Sequence, residues 1–132
     1  MDGAIQQALI AAALEARGHA YAPYSQFPVG AAVLADDGSV FSGANVENSS
    51  YGLSLCAERV AAAAAIAAGH RQLTAVAVAT AGGKTPCGAC RQFLAEFGNE
   101  IEVLLVDVEQ PHAVRTLALD ALLPEKFDIR GD

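Results

Sequence analysis

Tryptophan is absent from this sequence of 132 residues, and basic residues are few. Eight lysines and arginines stand against 15 aspartates and glutamates, which gives a net charge of −7 at pH 7. A surface of that charge repels phosphate backbones, and a protein that binds single strands needs basic and aromatic surface. We therefore expect no polynucleotide partner, and instead a small-molecule substrate without phosphate.

Long hydrophobic runs are also missing. The longest covers residues 60–68, whereas a helix needs about 20 apolar residues to span a bilayer. No basic stretch followed by an apolar run opens the chain, so neither a secretory signal nor a membrane partner is expected. These absences predict a cytoplasmic protein, whose cysteines stay reduced. In that compartment three cysteines indicate metal binding or catalysis rather than disulfides.

The composition predicts one folded unit. Hydrophobic residues make up 53% of the sequence, enough for a substantial core, and charged residues make up 17%, too few for a disordered chain. A chain of this length is the usual size of one domain. We therefore interpret residues 1–132 as a single domain.

The order of predicted helices and strands indicates the α/β class. Periodicity, caps and glycine stops predict four helices, the first capped by Asp2 and ending near residue 17, the others over residues 56–68, 87–97 and 119–123. Apolar runs bounded by turns predict strands over residues 29–34, 40–43, 73–79, 101–106 and 114–117. The third and fourth strands are joined through a helix, so they should be parallel with a right-handed crossover. We expect a three-layer α/β/α sandwich, with a mixed five-stranded sheet and helices on both faces.

The three cysteines have the spacing of a zinc site. Cys56 opens the triplet Cys-Ala-Glu, and Cys87 and Cys90 lie in a Pro-Cys-x-x-Cys segment. Each group falls at the start of a predicted helix, where the N-terminus stabilises thiolates, and helix positions i and i+3 face the same way. Three thiolates leave the fourth tetrahedral position open, as a catalytic zinc requires. We therefore predict a Zn²⁺ cofactor on Cys56, Cys87 and Cys90, since zinc suits thiolates in tetrahedral geometry.

Glu58 and two arginines complete the predicted chemistry. Glu58 would take a proton from water at the open metal position, deliver it to a ring nitrogen and later help to protonate a departing amine. Three thiolates make the zinc electron-rich, which weakens it as a Lewis acid. We predict that Arg59 or Arg91, or both, hydrogen-bond a ligand sulfur and withdraw charge from it.

Three other interpretations of the cysteines stay open. Cys87 and Cys90 are spaced as a redox pair, although that role leaves Cys56 and Glu58 without a function. A structural zinc would need a fourth ligand, for which His19, His70 and His112 are the histidine candidates, but none has zinc-knuckle spacing from a cysteine. A zinc-binding or nucleoside-binding module without catalysis is the third, and the glutamate beside an open metal position argues against it.

Four segments of the chain resemble the cytidine deaminases, in particular the small single-domain type that assembles as a homotetramer. The matching segments are residues 24–32, 43–52, 56–59 and 86–92. The resemblance runs from about Tyr21 to Phe127, and the Asn-Val-Glu-Asn stretch that begins at Asn45 makes it selective for nucleosides. It implies a single catalytic domain of cytidine deaminase-like fold.

The resemblance implies hydrolytic deamination of cytidine and 2′-deoxycytidine to uridine and 2′-deoxyuridine, with release of ammonia, by zinc-bound hydroxide and a glutamate proton shuttle. The role would be pyrimidine salvage. The alternative is a related cytosine nucleoside, such as a nucleoside antibiotic.

The resemblance also assigns substrate contacts. Asn45 and Glu47 would hydrogen-bond the ribose, chiefly its 3′-hydroxyl, and side chains two residues apart in an extended segment do point the same way. The other implied contacts are Phe27 against the pyrimidine ring, Ala57 to the base through its backbone, Tyr51 near a subunit junction, and Phe127 inserted into a neighbouring subunit's pocket. Each active site would then be completed by a neighbouring subunit.

Overall fold

A computed structural model describes residues 1–130 of the chain. The first helix, α1, covers Gly3–Arg17 and begins at a cap made by Asp2, whose carboxylate accepts hydrogen bonds from the backbone N–H groups of Ala4 and Ile5 at 2.7 and 3.2 Å. This confirms the predicted first helix. Strands β1 (Gly30–Ala35) and β2 (Val40–Ala44) then form an antiparallel hairpin, whose turn contains Gly38 at a φ of 92°.

The remaining helices and strands follow the predicted order, with ends that differ by one or two residues, and a 3-10 turn that the sequence did not predict lies before the second helix. They are a 3-10 turn at Tyr51–Leu53, α2 at Ala57–Ala67, β3 at Leu73–Thr80, α3 at Gly88–Ala95, β4 at Glu102–Asp107, β5 at Arg115–Ala118 and α4 at Leu119–Leu122. Helix α3 stops two residues before the predicted end. None of the helices within residues 1–130 is both long and apolar enough to cross a bilayer.

The five strands form one mixed sheet in the order β2-β1-β3-β4-β5. Strands β3 and β4 are parallel, and the other neighbouring pairs are antiparallel. One core lies between the sheet and α1, which contributes Leu9 and Ala13, and a second core on the other face contains Ala61 of α2 and Leu94 of α3. The three-layer architecture and the parallel pair are therefore confirmed.

Helix α2 packs against β2 at a glycine, Gly43, where no side chain separates the two backbones. A Cβ atom added at Gly43 would lie 2.6 Å from the backbone nitrogen of Ala61 and 2.8 Å from a side-chain carbon of Val60. Gly43 does not have a positive φ, so the close approach is what requires glycine here. This contact fixes the position of the helix that begins directly after Cys56.

Candidate zinc site and substrate cavity

Two helix starts bring the three cysteines together. Cys56 is the N-cap residue of α2 and Cys87 is the N-cap residue of α3, both with extended backbone and without a side-chain capping bond. Cys90 lies one turn later in α3 and is fully buried. The sulfur atoms of Cys56 and Cys87 therefore make no capping hydrogen bond. They lie at helix N-termini, which favour negative charge.

The distances between the sulfur atoms fit a single zinc ion. Sγ of Cys56 lies 3.9 Å from that of Cys87, which lies 3.3 Å from that of Cys90. Zinc–sulfur bonds of ~2.3 Å at tetrahedral angles separate the sulfurs by about 3.8 Å. Within residues 1–130 this group of potential ligands holds just the three sulfurs, and His70 groups with two aspartates elsewhere. The donor set therefore fits a zinc ion with one open position.

The cysteine sulfurs differ in their readiness to lose a proton. The pKa of Cys56 is lowered to about 5, because its sulfur accepts a hydrogen bond from the Cys90 thiol and further hydrogen bonds from Arg59 and Cys87. The pKa of Cys90 is raised, because its proton is held against the Cys56 sulfur and because it is buried. Because zinc binds cysteines as thiolates, metal binding at this cluster would be accompanied by release of protons.

The two predicted arginines lie in different surroundings. Nη2 of Arg59 donates to Sγ of Cys56 at 3.5 Å. The buried Nε of Arg59 has no hydrogen-bond partner among the described residues. The three guanidinium nitrogens of Arg91 instead donate hydrogen bonds to residues around α3. Nε donates to Pro86 O at 2.7 Å, Nη1 to Leu122 O at 2.8 Å and Nη2 to Thr85 Oγ1 at 3.1 Å. Arg59 therefore contacts the sulfur atom of Cys56, and Arg91 anchors the loop before Cys87.

Glu58 lies in the first turn of α2 and is only 5% exposed. Its burial raises the pKa of the carboxyl group, against an opposing backbone hydrogen bond. The negative charge that Cys56 can carry raises the pKa further, and the positive charge of Arg59 opposes this to a smaller extent. A carboxyl group in that setting takes up a proton more readily than one in water. This is the property that a proton shuttle requires.

A cavity of about 300 Å³ opens beside Glu58, at the carboxyl end of β3. Its size is at the lower end of the range for small-molecule sites. Its walls include the predicted residues Phe27, Asn45, Glu47, Cys56, Ala57, Glu58 and Cys87. A larger cavity of about 540 Å³, at the opposite end of β3, is lined by no cysteine or histidine. The smaller of these two cavities is therefore the one lined by cysteines and by Glu58.

Asn45 holds the segment that carries Phe27. Its Oδ1 accepts a hydrogen bond from Val29 N at 2.9 Å, and its Nδ2 donates to Phe27 O at 3.0 Å. An amide side chain has two N–H donors and two acceptor lone pairs. One Asn45 N–H donor therefore stays available to a ligand.

Glu47 holds the same segment two residues earlier. Its Oε1 accepts from the backbone N–H groups of Tyr24 and Ser25 at 2.9 and 3.1 Å, and its Oε2 makes a short hydrogen bond with the Ser25 hydroxyl. The Ser25 hydroxyl is the largest cause of a lowered pKa at Glu47, so the carboxylate is ionised at neutral pH. One lone pair on Oε2 stays available. The remaining N–H of Asn45 can donate to a ligand hydroxyl group, the remaining lone pair of Glu47 can accept from one, and both residues line the cavity.

Two of the predicted substrate contacts, Tyr51 and Phe127, do not line this cavity. Tyr51 is 74% exposed, stacks edge-on with Tyr24 at a centroid distance of 5.9 Å, and lines a neighbouring cavity together with Glu47. Phe127 is 71% exposed, and its carbonyl oxygen accepts a hydrogen bond from Gln92 Nε2 at 2.8 Å. Neither residue lines the cavity that Cys56 and Cys87 line.

Five polar residues in the cavity wall were not singled out from the sequence: Ser25, Ser54, Thr80, Lys84 and Thr85. Thr80 ends the apolar strand β3 and is 3% exposed, and its Oγ1 accepts from Lys84 N at 2.7 Å. A polar residue at the end of a buried strand was the available signal for Thr80. For Ser25 the signal was its place inside the segment 24–32.

This combination of an α/β sandwich, a three-thiolate site and an adjacent buried glutamate is that of the zinc-dependent base and nucleoside deaminases. The family model of the cytidine and deoxycytidylate deaminase zinc-binding region matches residues 4–106. The chain therefore belongs to this zinc-binding family.

Individual relatives are similar over most of their length. A cytidine deaminase of Sporosarcina psychrophila is 48% identical over 122 residues, which is 90% of this chain and 88% of the relative. A cytidine deaminase of Mycobacterium tuberculosis is 47% identical over 119 residues, covering 89% and 85% of the two chains. The crystal structure of a cytidine deaminase from Burkholderia pseudomallei superposes with a TM-score of 0.87 at 48% identity, covering 96% of this chain and all of that one.

Proposed function

We propose that this protein hydrolyses the exocyclic C4–N bond of cytidine and 2′-deoxycytidine, giving uridine or 2′-deoxyuridine and ammonia. One observation carries the proposal: the buried carboxyl group of Glu58, two ligand sulfurs, and the Asn45–Glu47 pair line the same cavity. The relatives at 47–48% identity are cytidine deaminases, and they do not favour the alternative of an antibiotic nucleoside.

The reaction needs a nucleophile from water and a proton for the ring and for the leaving amine. Cys56, Cys87 and Cys90 would hold the zinc ion, which when bound would supply a Lewis acid that lowers the pKa of water. A carboxylate oxygen of Glu58 accepts the proton that water gives up and passes it to N3 of the pyrimidine, which makes C4 electrophilic. The oxygen of that water adds to C4. Glu58 then moves the second proton of the water to the amine, which leaves from C4 as ammonia while the C4=O bond forms. Its raised pKa suits both directions of transfer.

The cavity wall orients the nucleoside. The free N–H of Asn45 and the free lone pair of Glu47 hold the 3′-hydroxyl of the sugar, in the direction set out above. Phe27, 36% exposed at the cavity, packs against the pyrimidine ring, a contact that contributes about 1 kcal/mol. Ala57, fully buried at the start of α2, offers its backbone to the base. Arg59 draws charge from the Cys56 sulfur and so counters the electron richness of the three thiolates.

A time course of cytidine with purified protein tests the proposal. We expect uridine and ammonia in equal amounts, loss of turnover after removal of metal by a chelator, and recovery on addition of zinc. Glu58→Gln is the matched variant, because it keeps the shape of the side chain and removes the shuttle: it should bind uridine and retain zinc but turn over no cytidine. A folded, zinc-loaded protein that leaves cytidine intact would refute the proposal. If such a protein deaminates only an antibiotic nucleoside, the alternative substrate is the correct one.

We further propose that the single domain, residues 1–132, acts in pyrimidine salvage in the cytoplasm, as a homotetramer whose sites are completed by neighbours. The support is that three large apolar side chains are exposed on the single chain: Tyr51, Leu53 and Phe127 are all at least 67% exposed. Exposure of that kind marks an interaction surface. Three free cysteines suit a reducing compartment.

Truncation after Pro124 tests the assembly. The shortened chain keeps α1 to α4 and the three sulfurs but loses Phe127, so it should retain zinc and lose activity. Light scattering would report its oligomeric state. A truncated chain with full activity would contradict the shared site.

A further inference from the structure

We propose that Ser25 is a positioning residue, which couples the sugar-binding side of the cavity at Glu47 to the base-stacking side at Phe27. The inference rests on the proposed function, since it concerns how the nucleoside is held. It assigns a role in substrate binding to a hydroxyl group that touches neither the sulfurs nor Glu58.

The hydrogen bonds of Ser25 define the coupling. Its hydroxyl makes a short bond with Oε2 of Glu47, and its Oγ accepts from Phe27 N at 3.0 Å. A hydroxyl has one hydrogen to donate, and an ionised carboxylate accepts only. The direction is therefore set: the Phe27 N–H donates to Ser25, and Ser25 donates to Glu47. The lowered pKa of the Glu47 carboxyl agrees with that direction.

The backbone of this segment needs such support. Gln26, between Ser25 and Phe27, has a φ of 55°, a left-handed conformation that non-glycine residues rarely adopt. It is held on each side. Gln26 N donates to Ala22 O at 3.0 Å, and Ser25 bridges across Gln26 to Phe27 N.

The backbone on both sides of Gln26 is hydrogen-bonded by Glu47 and Asn45, the residues that we propose bind the sugar. Glu47 accepts from two backbone N–H groups before Gln26, and Asn45 accepts from one N–H group and donates to one carbonyl after it. The side chain of Ser25 hydrogen-bonds both the Glu47 carboxylate and the backbone N–H of Phe27, and so links the two. Displacement of Glu47 is thus transmitted to the ring that packs on the base.

Kinetics of Ser25→Ala, with Ser25→Thr beside it, test the role. Loss of a hydrogen bond to a charged group predicts a KM for cytidine raised by about tenfold, with kcat within about twofold of wild type. Ser25→Thr keeps the hydroxyl and should restore KM. Ser39→Ala is the matched control, because Ser39 also hydrogen-bonds a carboxylate, that of Asp37, but in the β1–β2 turn away from the cavity. In a Glu47→Gln background, Ser25→Ala should raise KM by less than about twofold, since the two residues act as one unit.

Hydrogen exchange gives a readout that needs no substrate. The Phe27 amide should exchange faster in Ser25→Ala than in wild type or Ser25→Thr, because it loses its acceptor. An unchanged Phe27 exchange rate, or equal and additive effects in both backgrounds, would overturn the positioning role. Failure of the wild type to deaminate cytidine would overturn the proposed function instead, and the Phe27 exchange rate would still decide whether Ser25 holds this segment.

Discussion

Replacement of Gly43 by alanine should damage the zinc site from a distance. Gly43 lies in β2, and its added Cβ would meet the backbone nitrogen of Ala61 at 2.6 Å. Because the neighbouring atom belongs to the backbone of α2, rotation of a side chain cannot relieve the contact. The helix itself has to retreat from the sheet.

The size of the effect follows from that distance. To reach an ordinary contact of 3.4 Å, α2 has to move by about 0.8 Å at Ala61. Overpacking of this kind costs about 1–3 kcal/mol of unfolding free energy. The same helix carries Glu58, with Cys56 at its cap, and a misplacement near 1 Å lowers catalysis by up to about 100-fold. We expect a loss of both stability and kcat/KM.

Urea unfolding, zinc content by mass spectrometry and cytidine kinetics would measure these losses. Gly3→Ala is the control, because a Cβ at Gly3 meets no atom within 4 Å, and it should not lower stability or activity. If Gly43→Ala unfolds at the wild-type urea concentration and keeps zinc and turnover, then the contact between β2 and α2 is not what sets the position of the site.

Three further outcomes are expected. Arg59→Gln removes the guanidinium donor to Cys56 and should weaken zinc retention in a chelator competition by about 10–100-fold. Arg115→Gln, which changes an exposed residue of β5, should leave zinc retention unchanged. Equal retention in the two variants would refute the role of Arg59. The KM for cytidine should stay constant as the pH falls from about 7 to about 5, because a lowered pKa keeps the Glu47 carboxyl ionised at lower pH; a steep rise over that interval would show that Glu47 is protonated there. Thr80→Val removes the acceptor of Lys84 N and should lower the unfolding free energy by about 1 kcal/mol, and urea unfolding at unchanged midpoint would contradict it.

Features set by spacing along the chain were predictable. Helix geometry places residues i and i+3 on one face, so Cys87 and Cys90 had to lie together once α3 formed. The parallel pairing of β3 and β4 follows from their connection through a helix. The ends of elements were less predictable, as at α3, where the last turn depends on local packing and fraying.

The functions of single polar side chains were harder to predict. Arg59 and Arg91 are equivalent candidates in the sequence, each close to a cysteine. Only Arg59 was placed near a sulfur, because Arg91 finds carbonyl groups at Pro86 and Leu122 within reach. A long side chain chooses among partners that the fold assembles, and residue type does not say which it will find.

By itself, the sequence determined the donor atoms of the metal site, their local spacing, the order of helices and strands, and hence the layered α/β architecture, because periodicity and caps act over a few residues. Only the tertiary structure decided that Asn45 and Glu47 grip the turn that carries Phe27, and that Ser25 joins the two sides of the cavity. These bonds join Glu47 and Asn45 to a segment about 20 residues earlier in the chain, and their existence depends on how the sheet and helices pack. Local sequence rules describe the parts of this site, and packing of the whole chain sets the distances between them.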